Sequence, residues 1–389
     1  MSRFNAPKNY MKSRSKSPPR NIQEGSINSA NLINSANLNR LKYNLKPVNF
    51  QQPFELGHFS YGKNREFIWD DSALSYLILP GKEETDLSSQ YSNRIEKDIT
   101  VNEHLDGLLK GIGKLVERGL NIEDYQFVSY RGMINKINLS YYERNDWTLN
   151  LIKYKNLIFI DNGNFDEKLK SNLDQSDKQK LMSYWGYKFE NLSTYSKPAE
   201  ELEEELNRTE CVVNTKEEYC SIYKTRVGNY KLILGAEVDC WSDNTSLNKN
   251  NPNRLENYIE LKTSRIIESE KQAVNFEKFK LLKFWSQSFL AGIPEVIVGF
   301  RDDEGQLKSV QRFSTLKIPS LVRGKTHAWD PNICLNYLNS ILSFIGQSFK
   351  DLPNDRELVY KLEFNFNQKS LALRRDPTLT SYLPQDFLI

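Results

Sequence analysis

No run of the sequence approaches the ~18 consecutive apolar residues that a membrane-crossing helix needs. The N-terminus also lacks the basic-then-apolar pattern of a secretory signal, so the reading is a soluble intracellular chain. Cysteine is scarce: Cys211, Cys220, Cys240 and Cys334 stand at irregular spacings with no CxxC pair. Histidine is scarcer, with His58, His104 and His327 far apart. That inventory argues against a zinc site and for buried free thiols, without disulfides, in a reduced compartment. Most of the chain also lacks an excess of positive charge. Residues 1–47 hold nine Lys and Arg against one acid, a balance of +8, while the remainder holds 44 against 49, a balance of −5. A polyanion would have to be held at one local site or through metal ions.

The chain does carry enough apolar matter for a real interior. Its 389 residues, 39% hydrophobic and 12% aromatic, suffice for one large domain or two ordinary ones. Residues 1–47 stand apart: they are rich in Asn, Ser and Lys, contain SRSKSPPR and repeat INSANL at 27–32 and 33–38. So little apolar surface cannot offset the entropy of ordering, and the segment reads as a disordered basic tail. SRSKSPPR suits a nuclear-import or RNA-contacting patch as well as it suits an inert solvated tail. No linker divides the rest of the chain, so 48–389 reads as one domain.

Within that domain Leu105, Leu108, Leu109, Ile112, Leu115 and Val116 recur at helical spacing over 98–119, with Gly119 as the stop. YQFVSYRG (125–132), WTLNLIKYKNLIFIDN (147–162), YKLILGAEVDCW (230–241), ENYIELKT (256–263) and EVIVGF (295–300) read as strands. A helix fills 275–292, closed by Gly292 and Pro294. With the late strands LVYKLEFNF and KSLALRR the expectation is an α+β fold. It is one large domain of mixed, mainly antiparallel β-sheets flanked by helices.

Two of those strands carry charge where a strand normally carries oil. Glu237 and Asp239 are separated by one residue, as are Glu260 and Lys262, so each pair should leave one face of its strand. If the strands pair, three carboxylates and one ammonium converge on one patch. Acids are disfavoured in strands and raise each other's pKa unless a cation neutralises them; a hard divalent ion with oxygen ligands is the natural one. Such ions would clamp a phosphodiester or pyrophosphate and activate a water, with Lys262 beside it. A lone ExD is most often a solvated face. An acid followed by ExK on a later strand is more specific, and resembles the PD-(D/E)XK nuclease pattern. On the helix, at about 100° per residue, Lys280, Lys283 and Gln287 form one stripe opposite Leu281, Leu282, Trp285 and Phe289. GYKFE ends in Glu190, a fourth carboxylate or an exposed acid. Arg131 closes a strand and suits bidentate phosphate capture or a structural ion pair.

Together these segments resemble the family of RNA 5′-end decapping exoribonucleases. It includes the fungal companion protein of the nuclear 5′→3′ exoribonuclease and the mammalian decapping exoribonuclease. The likeness runs from ELGHFS (55–60) to the C-terminal strands and keeps the family's motif order: an RG-bearing strand, GYKFE, GAEVDC, ELK and KLLKFWSQSFLAGIPEVIVGFRDD. It implies a PD-(D/E)XK-nuclease-like core in which Glu190, Glu237, Asp239 and Glu260 bind one or two Mg²⁺ or Mn²⁺ ions, with the Leu261 carbonyl assisting. Lys262 would position the water, and Arg131 and Gln287 would hold the RNA 5′ phosphates. Trp185 and Tyr187 are nucleotide-stacking or core aromatics, with Trp185 read as core.

The implied activity is hydrolysis at RNA 5′ ends in cap quality control. It covers release of pyrophosphate or a triphosphonucleotide from 5′-triphosphate RNA and removal of unmethylated, incompletely methylated and NAD-type caps. Some members also degrade 5′-monophosphate RNA. The implied partners are RNA 5′ ends and the nuclear 5′→3′ exoribonuclease, with no membrane. The implied residence is nuclear, with room for a cytoplasmic fraction. Two rivals stand beside this reading: a DNA nuclease of the same architecture, and a non-catalytic stabilising partner of the exoribonuclease.

Overall fold

LVYKLEFN, over Leu358–Asn365, buries every second residue, the period of a strand with one covered face. It lies inside the larger of two sheets in a computed structural model that describes residues 32–37, 46–81, 85–198, 208–242, 252–353, 356–376 and 381–384. The ten-stranded sheet runs in the order β1 (Leu32–Asn37), β16 (Ser370–Arg375), β15 (Leu358–Asn365), β6 (Trp147–Tyr154), β7 (Leu157–Asn162), β5 (Phe127–Tyr130), β10 (Tyr230–Glu237), β9 (Glu218–Val227), β2 (Phe50–Tyr61) and β3 (Phe67–Ile68). The six-stranded sheet runs β14 (Leu307–Ser314), β13 (Glu295–Arg301), β12 (Tyr258–Arg265), β11 (Cys240–Trp241), β4 (Tyr76–Leu77) and β8 (Thr194–Tyr195). In the larger sheet only the β5 pairings, with β10 and β7, are parallel. The architecture is the expected α+β one.

Eight α-helices flank the sheets among the described residues: α1 (Asp106–Glu117), α2 (Arg131–Leu139), α3 (Phe165–Leu173), α4 (Asp177–Ser193), α5 (Glu270–Asn275), α6 (Leu281–Ala291), α7 (Ile318–Val322) and α8 (Pro331–Phe349). Leu338, Ile341, Leu342 and Ile345 of α8 join Leu362, Leu373 and Leu234 of the larger sheet in one apolar cluster. The smaller sheet is covered on both faces. Val296, Val298 and Phe300 meet Leu281, Leu282 and Trp285 of α6, while Ile259, Leu261 and Ile297 meet Trp185 and Phe189 of α4. Two alternating sets on β12 and β13 thus hold α4 and α6 on opposite sides of the same strands. None of the described helices is long and apolar enough to cross a membrane. Cys220, Cys240 and Cys334 are buried free thiols.

Four expectations shift in detail. The tail boundary at 47 gives way at Leu32–Asn37, which pairs antiparallel with β16 as the last strand of the sheet. An edge strand is recruited by main-chain hydrogen bonds, so an apolar-poor segment can fill it. Residues 1–31 and 38–45 lie outside the described residues. The helix expected over 98–119 begins at Asp106, because Asp98 accepts hydrogen bonds from the Thr100 N–H and hydroxyl and Asn102 accepts from the His104 N–H. Gly119, at φ +97°, ends it as expected. The helix over 275–292 starts earlier, at a Ser269–Gln272 capping box, and passes through a π-helical turn at Phe276–Lys280. Finally, the strand expected over 230–241 is two strands, one in each sheet.

Candidate active site

That break builds the site. β10 stays in the larger sheet to its last residue, where Glu237 pairs with Cys220 of β9. The Val238 N–H still donates to Tyr219 O at 3.0 Å, but Cys240 and Trp241 pair with Ile259 and Tyr258 in the smaller sheet. Glu237 and Asp239 therefore stand on the bridge between two sheets, not side by side on one strand. The expected pairing of the two charged strands exists, over two residues only.

Asp239 Oδ2 accepts the Leu261 N–H at 2.6 Å, which ties the bridge to β12 next to Glu260. Ile259 and Leu261 are committed to the α4 side, so the pleat turns Glu260 and Lys262 away from it, toward α6 and α2. Lys262 Nζ lies 2.5 Å from Glu260 Oε1, 3.6 Å from Asp239 Oδ2 and 2.8 Å from Leu261 O. Gln287 Nε2 donates to Glu260 Oε1 at 2.6 Å, and Arg131 Nη1 to Glu260 Oε2 at 3.3 Å. The same Arg131 nitrogen reaches Gln287 O at 3.0 Å. Arg131 opens helix α2 directly after β5 instead of closing the strand. A cation at a helix N-terminus opposes the helix dipole, and Glu260 supplies the compensating anion.

Of the stripe formed by Lys280, Lys283 and Gln287, Gln287 alone reaches Glu260; Lys283 pairs with Glu143 at 2.8 Å and Lys280, in the π-helical turn, is exposed. Glu190 projects from the last turns of α4. Trp185, on the same helix, is core: it is buried, and its indole N–H donates to Ser88 Oγ at 2.9 Å. Tyr187 is 48% exposed.

Burial and crowding set the charge of each group. Burial, then Asp239, pushes the Glu190 carboxyl well above its ordinary range. Burial, then Glu218 and Asp239, pushes Glu237 up to about 8. Asp239 rises to about 6, chiefly through burial against the opposing pull of Lys262. Burial would raise Glu260 too, but Lys262 and Arg131 outweigh it and hold that carboxyl below its ordinary value. Burial opposes the Lys262 charge, yet Asp239 and Glu260 push its pKa above the usual lysine range. One acid is thus satisfied by protein cations while three are short of positive charge.

The sequence reading missed Glu218, the largest charge influence on Glu237. It lies at the start of β9 and is held by Lys97 Nζ at 2.6 Å and Arg65 Nη2 at 2.7 Å. The signal that would have found it is the β9–β10 register, which places Cys220 opposite Glu237. No single-strand pattern contains that.

The donor set fits a hard divalent ion: four carboxylates and the Leu261 carbonyl, all oxygen, with three acids raised for want of a cation. Among the described residues no three His, Cys, Asp or Glu side chains are yet drawn tight enough to cage an ion. Lys262 stands among these oxygens, and the Leu261 N–H takes Asp239 Oδ2.

Comparison with known proteins agrees with this chemistry. The family model described as RAI1 like PD-(D/E)XK nuclease matches residues 51–388. A decapping nuclease RAI1 from Neurospora crassa is 36% identical over 310 residues, covering 77% of this chain and 74% of that protein. A decapping and exoribonuclease protein from Xenopus laevis is 35% identical over 330 residues, covering 80% of this chain and 79% of the relative. Among solved structures, Candida albicans Rai1 in complex with pU5-Mn²⁺ superposes with a TM-score of 0.81 at 28% identity, covering 91% of this chain and 98% of the other.

Proposed function

The chain belongs to the RAI1-like PD-(D/E)XK nuclease family, and from that membership we propose how its own residues act. The protein is a divalent-metal-dependent hydrolase of RNA 5′ ends, a decapping nuclease. Glu190, Glu237, Asp239 and Glu260, with Leu261 O, would hold one or two Mg²⁺ or Mn²⁺ ions. When bound, such ions polarise phosphoryl oxygens and lower the pKa of a water.

The observation that carries this reading is the placement of Lys262 between Glu260 and Asp239. Burial opposes its charge, but Asp239 and Glu260 outweigh burial and favour an ammonium over a neutral base. It acts instead as a fixed donor that orients the attacking water and offsets charge building at phosphorus. Gln287 and Arg131 hold Glu260 from its other side. Two Arg131 bonds use one nitrogen, which leaves the rest of the guanidinium's fork for a 5′ phosphate.

The reading extends to a second partner, the nuclear 5′→3′ exoribonuclease, and to nuclear residence with a cytoplasmic fraction. The family likeness supports the first, and the nine Lys and Arg of residues 1–47 support the second. An exonuclease that co-purifies and stays active with Asp239→Ala would carry the partnership.

The deciding experiment is end-product analysis with Mg²⁺ or Mn²⁺ on one RNA bearing a triphosphate, an unmethylated cap, a methylated cap, NAD or a monophosphate. Release of pyrophosphate, a triphosphonucleotide or an intact cap dinucleotide, lost in Asp239→Ala, is the expected result. No product from any of the five would overturn the site assignment.

A further inference from the structure

Strand β2 is irregular twice in its pairing with β9, between Gln51 and Phe54 and again between Glu55 and Gly57. The second irregularity has a chemical result. In an unbroken strand residues three apart leave opposite faces, and one extra residue brings them to the same side. His58 Nδ1 accordingly lies 2.9 Å from Glu55 Oε1, and because a carboxylate only accepts, the ring nitrogen donates. The other Glu55 oxygen takes the Ser221 hydroxyl at 3.1 Å, and Arg254 Nε stands 3.8 Å from Oε1. Glu55 is buried and committed to these neighbours. The Tyr219 ring backs the imidazole at 5.6 Å between centroids. With Nδ1 taken, Nε2 is the ring atom left for a ligand.

These groups line a cavity of about 370 Å³ together with Trp69 and Arg118. Trp69 is seated against Gly57, where an added Cβ would come within 2.9 Å of the indole. Arg118 lies 5.4 Å over that indole and has no carboxylate partner among the described residues. Arg254 gives Nε to the Tyr258 hydroxyl at 3.3 Å and Nη2 to Asp71 at 3.1 Å, which leaves its Nη1. The lining thus holds two guanidiniums and an imidazole against one carboxylate, which is already hydrogen-bonded. None of these residues belongs to the acid cluster of the active site or to the cations that hold it.

We propose that this cavity is a second anion site that takes a nucleoside phosphate, with the phosphate on Arg118 and His58 Nε2 and the nucleoside along Trp69. A guanidinium matches phosphate oxygens with paired donors. A phosphate also suits Nε2 in either state, donating an O–H to the neutral ring or accepting from the protonated one. The volume falls within the range of small-molecule pockets, and the indole offers a nucleoside an aromatic surface that a bare anion would leave unused. A free nucleotide and an RNA strand share this chemistry. Arg254 is bonded to Tyr258, two residues before Glu260 on β12 and about 7 Å from it along the strand. That link to the acid-bearing strand makes RNA the second source to test.

The test is calorimetric binding to the metal-free full chain in chelator, so that no turnover intervenes and the result does not depend on the hydrolase reading. The probes are adenosine 5′-monophosphate, adenosine, and a short RNA with a 5′-hydroxyl. Losing one charged hydrogen bond should weaken binding about tenfold in Arg118→Gln and in His58→Gln, whereas Lys262→Met should leave it unchanged. Weakening for the monophosphate and the RNA alike supports the site with a free nucleotide as sufficient ligand. Weakening for the RNA alone, with no monophosphate bound, supports it with the phosphates of a strand. Dissociation constants unmoved by both substitutions, or no binding of either phosphate probe, overturn the site. So does adenosine binding as tightly as its monophosphate, or binding lost in Lys262→Met but kept in Arg118→Gln. Arg118 is exposed and the glutamine at 58 can still donate to Glu55, so melting temperatures should equal wild type. If His58→Gln melts lower, Arg118→Gln alone decides.

Discussion

Lys262 Nζ and Glu260 Oε1 are 2.5 Å apart, on one face of one strand with a single residue between them. A pair this close, with Glu260 only 1% exposed, is a fixed donor–acceptor unit and not a solvated ion pair. Lys262→Met keeps the stem and removes the ammonium. The expected outcome is a kcat lower by about 10²–10³, the scale of losing one preorganised transition-state donor, with KM little changed. A KM effect alone would make Lys262 a ground-state contact.

Glu260 is also the anion that Arg131 needs. Breaking a buried pair from one side costs about 3–5 kcal/mol because the remaining charge is left uncompensated. Glu260→Gln should therefore destabilise the fold as well as abolish turnover, whereas Asp239→Asn keeps an oxygen for the Leu261 N–H and should unfold near wild type. Urea unfolding of Glu260→Gln, Arg131→Met and the double variant tests it. The double variant should be less destabilised than the two singles combined; simple additivity would show that the two residues are not coupled.

The alternation of Glu260 and Lys262 was legible in the sequence because the pleat alone fixes it. Gln287 was legible because 3.6-residue periodicity turns Lys280, Lys283 and Gln287 to one side, although the structure sends only Gln287 to the acids. The hop from β10 to β11 was not legible. GAEVDCW looks like one strand from either end, and which sheet each half joins is decided by Cys220 and Ile259, distant in sequence. The same holds for Glu218, which enters the site through cross-strand register. Leu32–Asn37 is a strand because β16 offers an unpaired edge, a property of another part of the chain.

The raised carboxyls make a pH prediction. Glu237 moves from an ordinary 4.5 to about 8, and Asp239 from 3.8 to about 6. Across that window the folded metal-free chain keeps protons that the unfolded chain has released. Stability is therefore full at the acid end, falls as pH rises and levels off near the upper value. Thermal melts in chelator should show this decline, and Glu237→Gln should flatten it. Mn²⁺ should raise the melting temperature more at alkaline than at acid pH and should release protons on binding. Metal-free stability that rises with pH would contradict the charge assignment.

Gly299 on β13 offers a test at one remove from the chemistry. A Cβ there would lie 2.6 Å from Phe189, the residue before Glu190, at the contact that seats α4 on the smaller sheet. Gly299→Ala must push Phe189 away, an overpacking that costs about 1–3 kcal/mol. Because Phe189 and Glu190 are consecutive on one rigid helix, the shift should also move the Glu190 carboxylate and weaken Mn²⁺ binding measured by calorimetry. Adding Phe189→Leu should recover part of both losses. Gly113, in the middle of α1 with nothing within 4 Å of the added carbon, is the control. Gly113→Ala should stabilise by about 0.5–1 kcal/mol and leave Mn²⁺ affinity alone. If Gly299→Ala lowers stability without touching Mn²⁺ affinity, Glu190 is not held through the Phe189 contact.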